Sequence, residues 1–241
     1  MEQTVLNEDN RISKRASFLV CIILASVGGF LEAFTYLLKG GVFCNAQTGN
    51  FALLAIFFIN KQYGQAVYYI LPILAYMVGI GCTIYIPKWL SKLSILHWET
   101  IFVGCEILIL FVLAFLPNTF PNGITNVPIS FICAMQYNTF RKSNGIPLAT
   151  TFCTNNLRQA VIHFCTGIEQ KNQQSKIKSL YYVSVILFFV IGAAIGTFLI
   201  HILKEKAILF CCFILLPVLV ILLLSDIKNK DNKERRNFIC Q

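Results

Sequence analysis

The sequence predicts an all-α membrane protein of about six transmembrane helices plus two short re-entrant half-helices, in two internally repeated and inverted halves. Three observations carry this. The chain is 56% hydrophobic and only 13% charged, outside the range of soluble domains. Runs such as Ala207 to Leu224 carry no charge and have the length of a bilayer span. A polar stretch, Phe43-Cys44-Asn45-Ala46-Gln47-Thr48-Gly49-Asn50, returns as Ala149-Thr150-Thr151-Phe152-Cys153-Thr154-Asn155-Asn156, at a fixed offset of 106 residues.

The apolar segments use up most of the 241 residues. A single polytopic membrane domain is therefore expected over 16–224, with repeats at 16–116 and 124–224, a tail at 1–15 and a basic tail at 225–241. The formal charge of +9 raises nucleic acid as a partner. The bases, however, lie in loops and tails beside apolar segments, which is the signature of membrane topology, so the expected partner is the lipid bilayer and not nucleic acid. The ten cysteines are scattered without C-x-x-C spacing and read as small buried hydrophobes. No metal site and no cofactor is expected.

Arg11, Lys14 and Arg15 precede an apolar run in the manner of a signal peptide. The run continues to Leu38 and carries Glu32, which belongs to the first repeat, so it reads as a retained helix. The six candidate spans are Ala16 to Leu38, Ala66 to Ile86, Thr100 to Leu116, Ile124 to Phe140, Leu180 to Leu203 and Ala207 to Leu224. Two shorter segments follow the polar motifs: Asn50 to Asn60, and Asn156 to about Gly167, the second interrupted by Arg158, Gln159 and His163. At ~1.5 Å rise per residue neither covers a hydrocarbon core of ~30 Å. Trp89 and Trp98 fall at span ends, where an indole suits the headgroup level. Gly79-x-Gly81 and Gly192-x-x-x-Gly196 lie in equivalent spans and read as close helix packing.

The short segments are either tilted spans, giving eight crossings, or re-entrant hairpins, giving six. With the N-terminus inside, six crossings put fifteen Lys and Arg inside and four outside (Lys39, Lys61, Lys204, Lys206); eight crossings give twelve and seven. The positive-inside rule favours six, with both termini cytoplasmic. Three spans per half places the halves in opposite orientations, as in many secondary transporters, whereas four would make them parallel.

Within the motifs, Thr48 or Asn50, and Thr154 or Asn156, can cap a helix start, and Gly49 permits a tight turn. A helix that starts inside a membrane directs backbone donors and partial positive charge at what precedes it, which transporters use to hold substrates and ions. The plainer alternative is that these residues only satisfy the backbone. Glu32 and Glu106 each lie about six residues inside a span end; carboxyls at that depth face a cavity or a partner and are candidate proton carriers. Arg158, after Asn155, can pair with a carboxylate or an anion. Gln136 and Asn138 are further binding candidates on the fifth span, diverging on an unbroken helix. His163 and Cys165 diverge likewise and lack a third group, so no catalytic residue is assigned.

Gly28-Gly29-Phe30-Leu31-Glu32-Ala33-Phe34-Thr35-Tyr36, followed by Phe43 and Thr48-Gly49-Asn50, resembles the first motif of the YoaK family of small bacterial membrane proteins. Cys133 to Lys142, then Thr150 to Arg158, resembles the second. The resemblance covers nearly the whole chain. It departs at Glu32, where an aspartate is common, and at Asn155, where the glycine of T-G-N often stands. It implies a polytopic inner-membrane protein of an uncharacterised family, at most a transporter, with no established substrate.

The expectation is a small-molecule secondary transporter of the bacterial plasma membrane with proton coupling, and not an enzyme. Its substrate, a small molecule or ion, is unspecified, and a homo-oligomer is left open. The alternative is a non-transporting membrane scaffold or sensor whose motifs lock two halves together.

Overall fold

The computed structural model describes residues 18–90, 96–117, 119–143 and 145–239, with side chains to 229. The helices are α1 (Phe18–Leu38), α2 (Gln47–Ile59), α3 (Tyr63–Leu90), α4 (Trp98–Leu113), α5 (Gly123–Thr139), α6 (Thr154–Glu169), α7 (Gln173–Leu203) and α8 (Leu209–Ile239). A 3-10 turn, Lys204–Ile208, joins α7 to α8, and a two-residue hairpin pairs β1 (Lys142–Ser143) with β2 (Ile146–Pro147). The fold is essentially all helical.

Three helical stretches are long and apolar enough to cross a membrane: Phe18–Leu38, Tyr63–Leu90 and Gln173–Asn229. The last has 57 residues, too long for one crossing. The chain breaks it at Lys204, whose φ of 49° stops the α-helical ladder. The segments expected at 100–116 and 124–140 are helical but only 16 and 17 residues long. Much of the outer surface is apolar, with Met77, Leu108, Phe164, Phe198 and Phe213 all exposed. Such a surface in water would be a liability, and it fits a lipid-facing bundle.

Helix directions follow from contacts near the ends. Asn126, early in α5, donates to the Lys39 carbonyl just past α1 (2.7 Å), while Gln136, late in α5, donates to the Leu24 carbonyl, early in α1 (3.1 Å). So α1 and α5 are antiparallel. Trp98 Nε1 at the start of α4 donates to Thr139 at the end of α5 (3.0 Å). Asp226, far along α8, accepts from the Thr100 hydroxyl (2.8 Å) and the His97 amide (3.1 Å) at the start of α4. These pairs make α4 antiparallel to both α5 and α8.

Glycines mark the two parallel contacts. A Cβ on Gly192 of α7 would lie 1.9 Å from the Ser26 carbonyl oxygen of α1, and one on Gly29 would lie 1.9 Å from the Phe189 carbonyl oxygen. Further along, Gly196 meets Phe30, and Lys39 pairs with Glu205 at 3.7 Å beyond the end of α7. A Cβ on Gly79 of α3 would lie 2.5 Å from the Phe131 carbonyl oxygen of α5, and Asn138 bonds to Thr83. Thus α1, α4 and α7 run one way and α3, α5 and α8 the other. α1 thus packs in parallel on α7, and α5 on α3.

Basic residues gather at one end of this bundle, with Lys88 at the end of α3, Arg141 and Lys142 past α5, Lys171, Lys176 and Lys178 around the start of α7 and Lys228 late in α8. Lys39, Lys61, Lys204 and Lys206 lie at the other end. Some boundaries differ from the sequence reading. α8 runs on from Leu224 to Ile239, through the expected tail, because its Lys, Glu and Arg residues are good helix formers. α7 starts at Gln173, where Asn172 accepts from the Gln174 and Ser175 amides. The expected tail at 1–15 lies outside the described residues. Gly81 was expected to serve packing, but a Cβ there meets nothing within 4 Å.

Gly192→Ala forces a methyl into backbone and should cost about 1–3 kcal/mol. Gly81→Ala should be neutral or stabilise by up to about 1 kcal/mol, by helix propensity alone. Thermal unfolding of the purified protein in detergent should show a lowered midpoint for the first and no loss for the second.

Candidate functional site

After α1 the chain turns back at Gly40 and Gly41, both in left-handed conformations (φ 81° and 72°) that glycine adopts without strain. It then re-enters the bundle as an extended segment, 42–46, in which Val42, Cys44 and Asn45 are buried. α2 carries it back to the end it came from. From the opposite end, the β1–β2 hairpin leads into residues 148–151, all buried, and α6 carries the chain back out. Both extended segments reach the middle of α1 at Gly28. The Asn45 side chain donates to the Gly28 carbonyl (2.8 Å), and the Thr150 carbonyl oxygen lies 2.9 Å from where a Gly28 Cβ would be.

An extended segment inside a helical bundle exposes backbone groups that need partners. The two asparagines of the motif supply them in the same way. Asn50 Oδ1 accepts from the Phe43 amide (3.0 Å) and its Nδ2 donates to the Phe43 carbonyl (2.7 Å). Asn156 does the same with Ala149, at 3.1 Å and 2.6 Å. Each side chain, in the first turn of its helix, leans back toward the preceding segment and pairs with it as a strand would. The expected N-caps are therefore not formed: no side chain caps α2 at Ala46 or α6 at Cys153.

Glu32 is tied to the first segment. Its Oε2 accepts from the Asn45 amide (2.8 Å) and the Cys44 thiol (3.2 Å), and its Oε1 from the Ala46 amide (3.3 Å). The carboxylate thus sits at the positive end of α2. Its counterpart, Asn138, bonds instead to Thr83. Gln136 is fully buried and donates to the Leu24 carbonyl (3.1 Å) and the Thr150 hydroxyl (3.3 Å), which brings it into the same centre. Gly49 packs on the Phe43 ring.

The other expected residues are elsewhere. Thr48, Thr154, Asn155 and Arg158 are exposed on the first turns of α2 and α6, facing away from the meeting point. Asn155 and Asn138 line a cavity of about 510 Å³ at the basic end, with Glu99, Tyr137, Arg141 and Ala149. Glu106 is fully buried in α4, and neither carboxyl oxygen has a hydrogen-bond partner. The Cys133 thiol of α5 lies 3.8 Å from that of Cys44. His163 stacks on Tyr182, and Cys165 is exposed. Among the described residues no group of three or more His, Cys, Asp or Glu is placed to hold a metal ion.

Sequence reasoning singled out neither Asn45, Thr150 nor Cys133. Asn45 and Thr150 were within the repeated stretches, and their burial among uncharged helices was the available signal. Asp226, placed in a tail by hydropathy, is buried against α4, where it also pairs with His97 at 3.0 Å.

An asparagine amide both donates and accepts, and a carboxylate does not donate. Asn50→Asp and Asn156→Asp should each lower stability by about 1–3 kcal/mol. Thr48→Ala and Thr154→Ala, on exposed positions, should stay within about 0.5 kcal/mol. Unfolding midpoints of the four variants in one detergent provide the comparison.

Neither a curated protein nor a solved structure matches the chain. A sequence profile does match, over residues 20–222, which runs from α1 through both polar segments into α8. On that match the chain belongs to DUF1275, a family described as protein of unknown function.

Proposed function

We propose that the protein is a small-molecule secondary transporter of the bacterial plasma membrane, with six crossings, two re-entrant half-helices, inverted halves and proton coupling. The YoaK resemblance is consistent with membership of DUF1275. The observation that carries the reading is the meeting of two extended breaks, entering from opposite ends, at Gly28 of α1. Discontinuous helices meeting at mid-depth are where transporters place substrate and ion sites. The antiparallel run of α1 and α5 supports inversion, and basic residues at one end support cytoplasmic termini.

Glu106 fits the proton role better than Glu32. The oxygens of Glu32 are occupied by the chain itself, whereas Glu106 is enclosed without a partner. A carboxyl in that setting must hold a proton or have a cation brought to it, since an isolated buried charge costs several kcal/mol. In proteoliposomes under an imposed proton gradient, a panel of amines, amino acids, sugars and organic acids should include a solute whose uptake collapses at least about tenfold in Glu106→Gln. No solute movement, together with unchanged cellular uptake in that variant, would sink the transporter.

The contacts across the centre, Gln136 on the Leu24 carbonyl and Thr150 against Gly28, also favour a second reading, a scaffold or sensor in which the motifs only lock the halves together. Asn50→Ala would then lower stability with no solute able to restore it.

Topology is testable separately. In a background lacking the exposed Cys105 and Cys165, a cysteine at Lys61 should react with an impermeant reagent from outside and one at Lys142 only from inside. Eight crossings reverse both results.

A further inference from the structure

The centre where the breaks meet holds two side-chain acceptors whose direction is forced. Asn45 is 2% exposed and Gln136 0%. Each amide nitrogen faces a backbone carbonyl, Gly28 at 2.8 Å for Asn45 and Leu24 at 3.1 Å for Gln136. A carbonyl can only accept, so neither amide can be turned over without opposing two oxygens. Asn45 Oδ1 and Gln136 Oε1 must therefore point away from α1, and neither has a hydrogen-bond partner.

The two amides are neighbours. Leu24 and Gly28 are one helical turn apart, and Thr150 spans them, its hydroxyl on Gln136 (3.3 Å) and its carbonyl against Gly28. Glu32 is one turn further along and holds the Asn45 amide. Among the described residues the one buried basic side chain, Lys39, is at the end of α1 and pairs with Glu205. The backbone donors that would draw an anion to the α2 start are already used, since Asn45 and Ala46 donate to Glu32. At the second break the Ala149 amide is taken by Asn156.

Unpaired buried acceptors cost about 1–3 kcal/mol each unless something supplies donors or positive charge. We propose that this centre binds a compact monovalent cation, an alkali metal ion or a protonated amine, through Asn45 Oδ1 and Gln136 Oε1, with Glu32 providing the negative charge. The inference rests on the transport reading for its purpose and names the class of what the carrier holds. A divalent ion suits the site less, because such ions are held by more oxygens and more carboxylates than the single Glu32. The helix starts thus serve this ligand indirectly, by fixing Glu32 and Asn45, and not by offering donors to an anion.

The test is thermal unfolding of the purified full chain in detergent at constant ionic strength, replacing choline chloride, whose quaternary ammonium has no N–H, by sodium, potassium, ammonium or methylammonium chloride. A saturable rise in midpoint with at least one of these is expected. Sodium or potassium alone identifies a metal-ion site; ammonium and methylammonium alone identify a protonated amine. Gln136→Met should raise the half-saturating concentration about tenfold or more. Glu32→Gln, which still accepts from the Asn45 amide, should do the same and serves if Gln136→Met does not fold.

The proposal falls if no cation exceeds choline, if the effect follows the anion when gluconate replaces chloride, or if both variants fold and respond as the wild type. Saturable binding without flux in proteoliposomes supports the cation site and removes the transporter. Flux indifferent to the cation removes the site and leaves the transporter.

Discussion

Everything in this structure depends on a way to interrupt a helix inside a bundle without stranding its backbone. Water is excluded there, so each freed N–H and C=O needs a partner from the chain. At both breaks one asparagine provides it, seven residues downstream, by pairing with both polar groups of a single residue. Because the brace is short and two-sided, the extended segment is held straight enough to reach α1. The meeting at Gly28, the anchoring of Glu32 and the placement of Gln136 all follow from that reach.

The two breaks use this device with different fillings. Phe43 at the first break presents its ring to Gly49 and lies tilted against Tyr36, at 4.9 Å between centroids. Ala149 stands in the equivalent place of the second half, with no ring, and there the cavity at the basic end opens between Tyr137, Asn138 and Asn155. Charge is also unevenly placed, with Glu32 in one half and Asn138 in the other. The second break thus borders a cavity where the first carries a ring.

Much of this was legible in the sequence where the signal was a pattern. The helices and the two short segments after the polar stretches follow from hydropathy, Asn50 and Asn156 stand out by their duplication at a helix start, and Glu32 by the cost of a carboxyl at that depth. What hydropathy cannot encode is direction. Thr48, Thr154 and Arg158 share the motifs with the asparagines yet face outward, since one helical position rotates a side chain by about 100°. Asp226 was hidden for a related reason: its partners, His97 and Thr100, are distant in sequence. The break in Gln173–Asn229 falls where Lys204, Glu205 and Lys206 part the two expected spans, and the structure adds the positive φ of Lys204 that makes it.

The exchange of partners between halves bears on how the protein is made. α1 packs most closely on α7, and the residues that touch, Ser26 and Gly192, are separated by most of the chain. At about 5–20 residues per second, a ribosome needs on the order of ten seconds or more to deliver α7 after α1 has emerged. Throughout that interval Glu32 can already meet Cys44, Asn45 and Ala46, which follow it closely, whereas the ridge at Ser26 and Gly29 waits for Phe189 and Gly192. The packing of α1 is therefore completed only when the far end of the chain has been made.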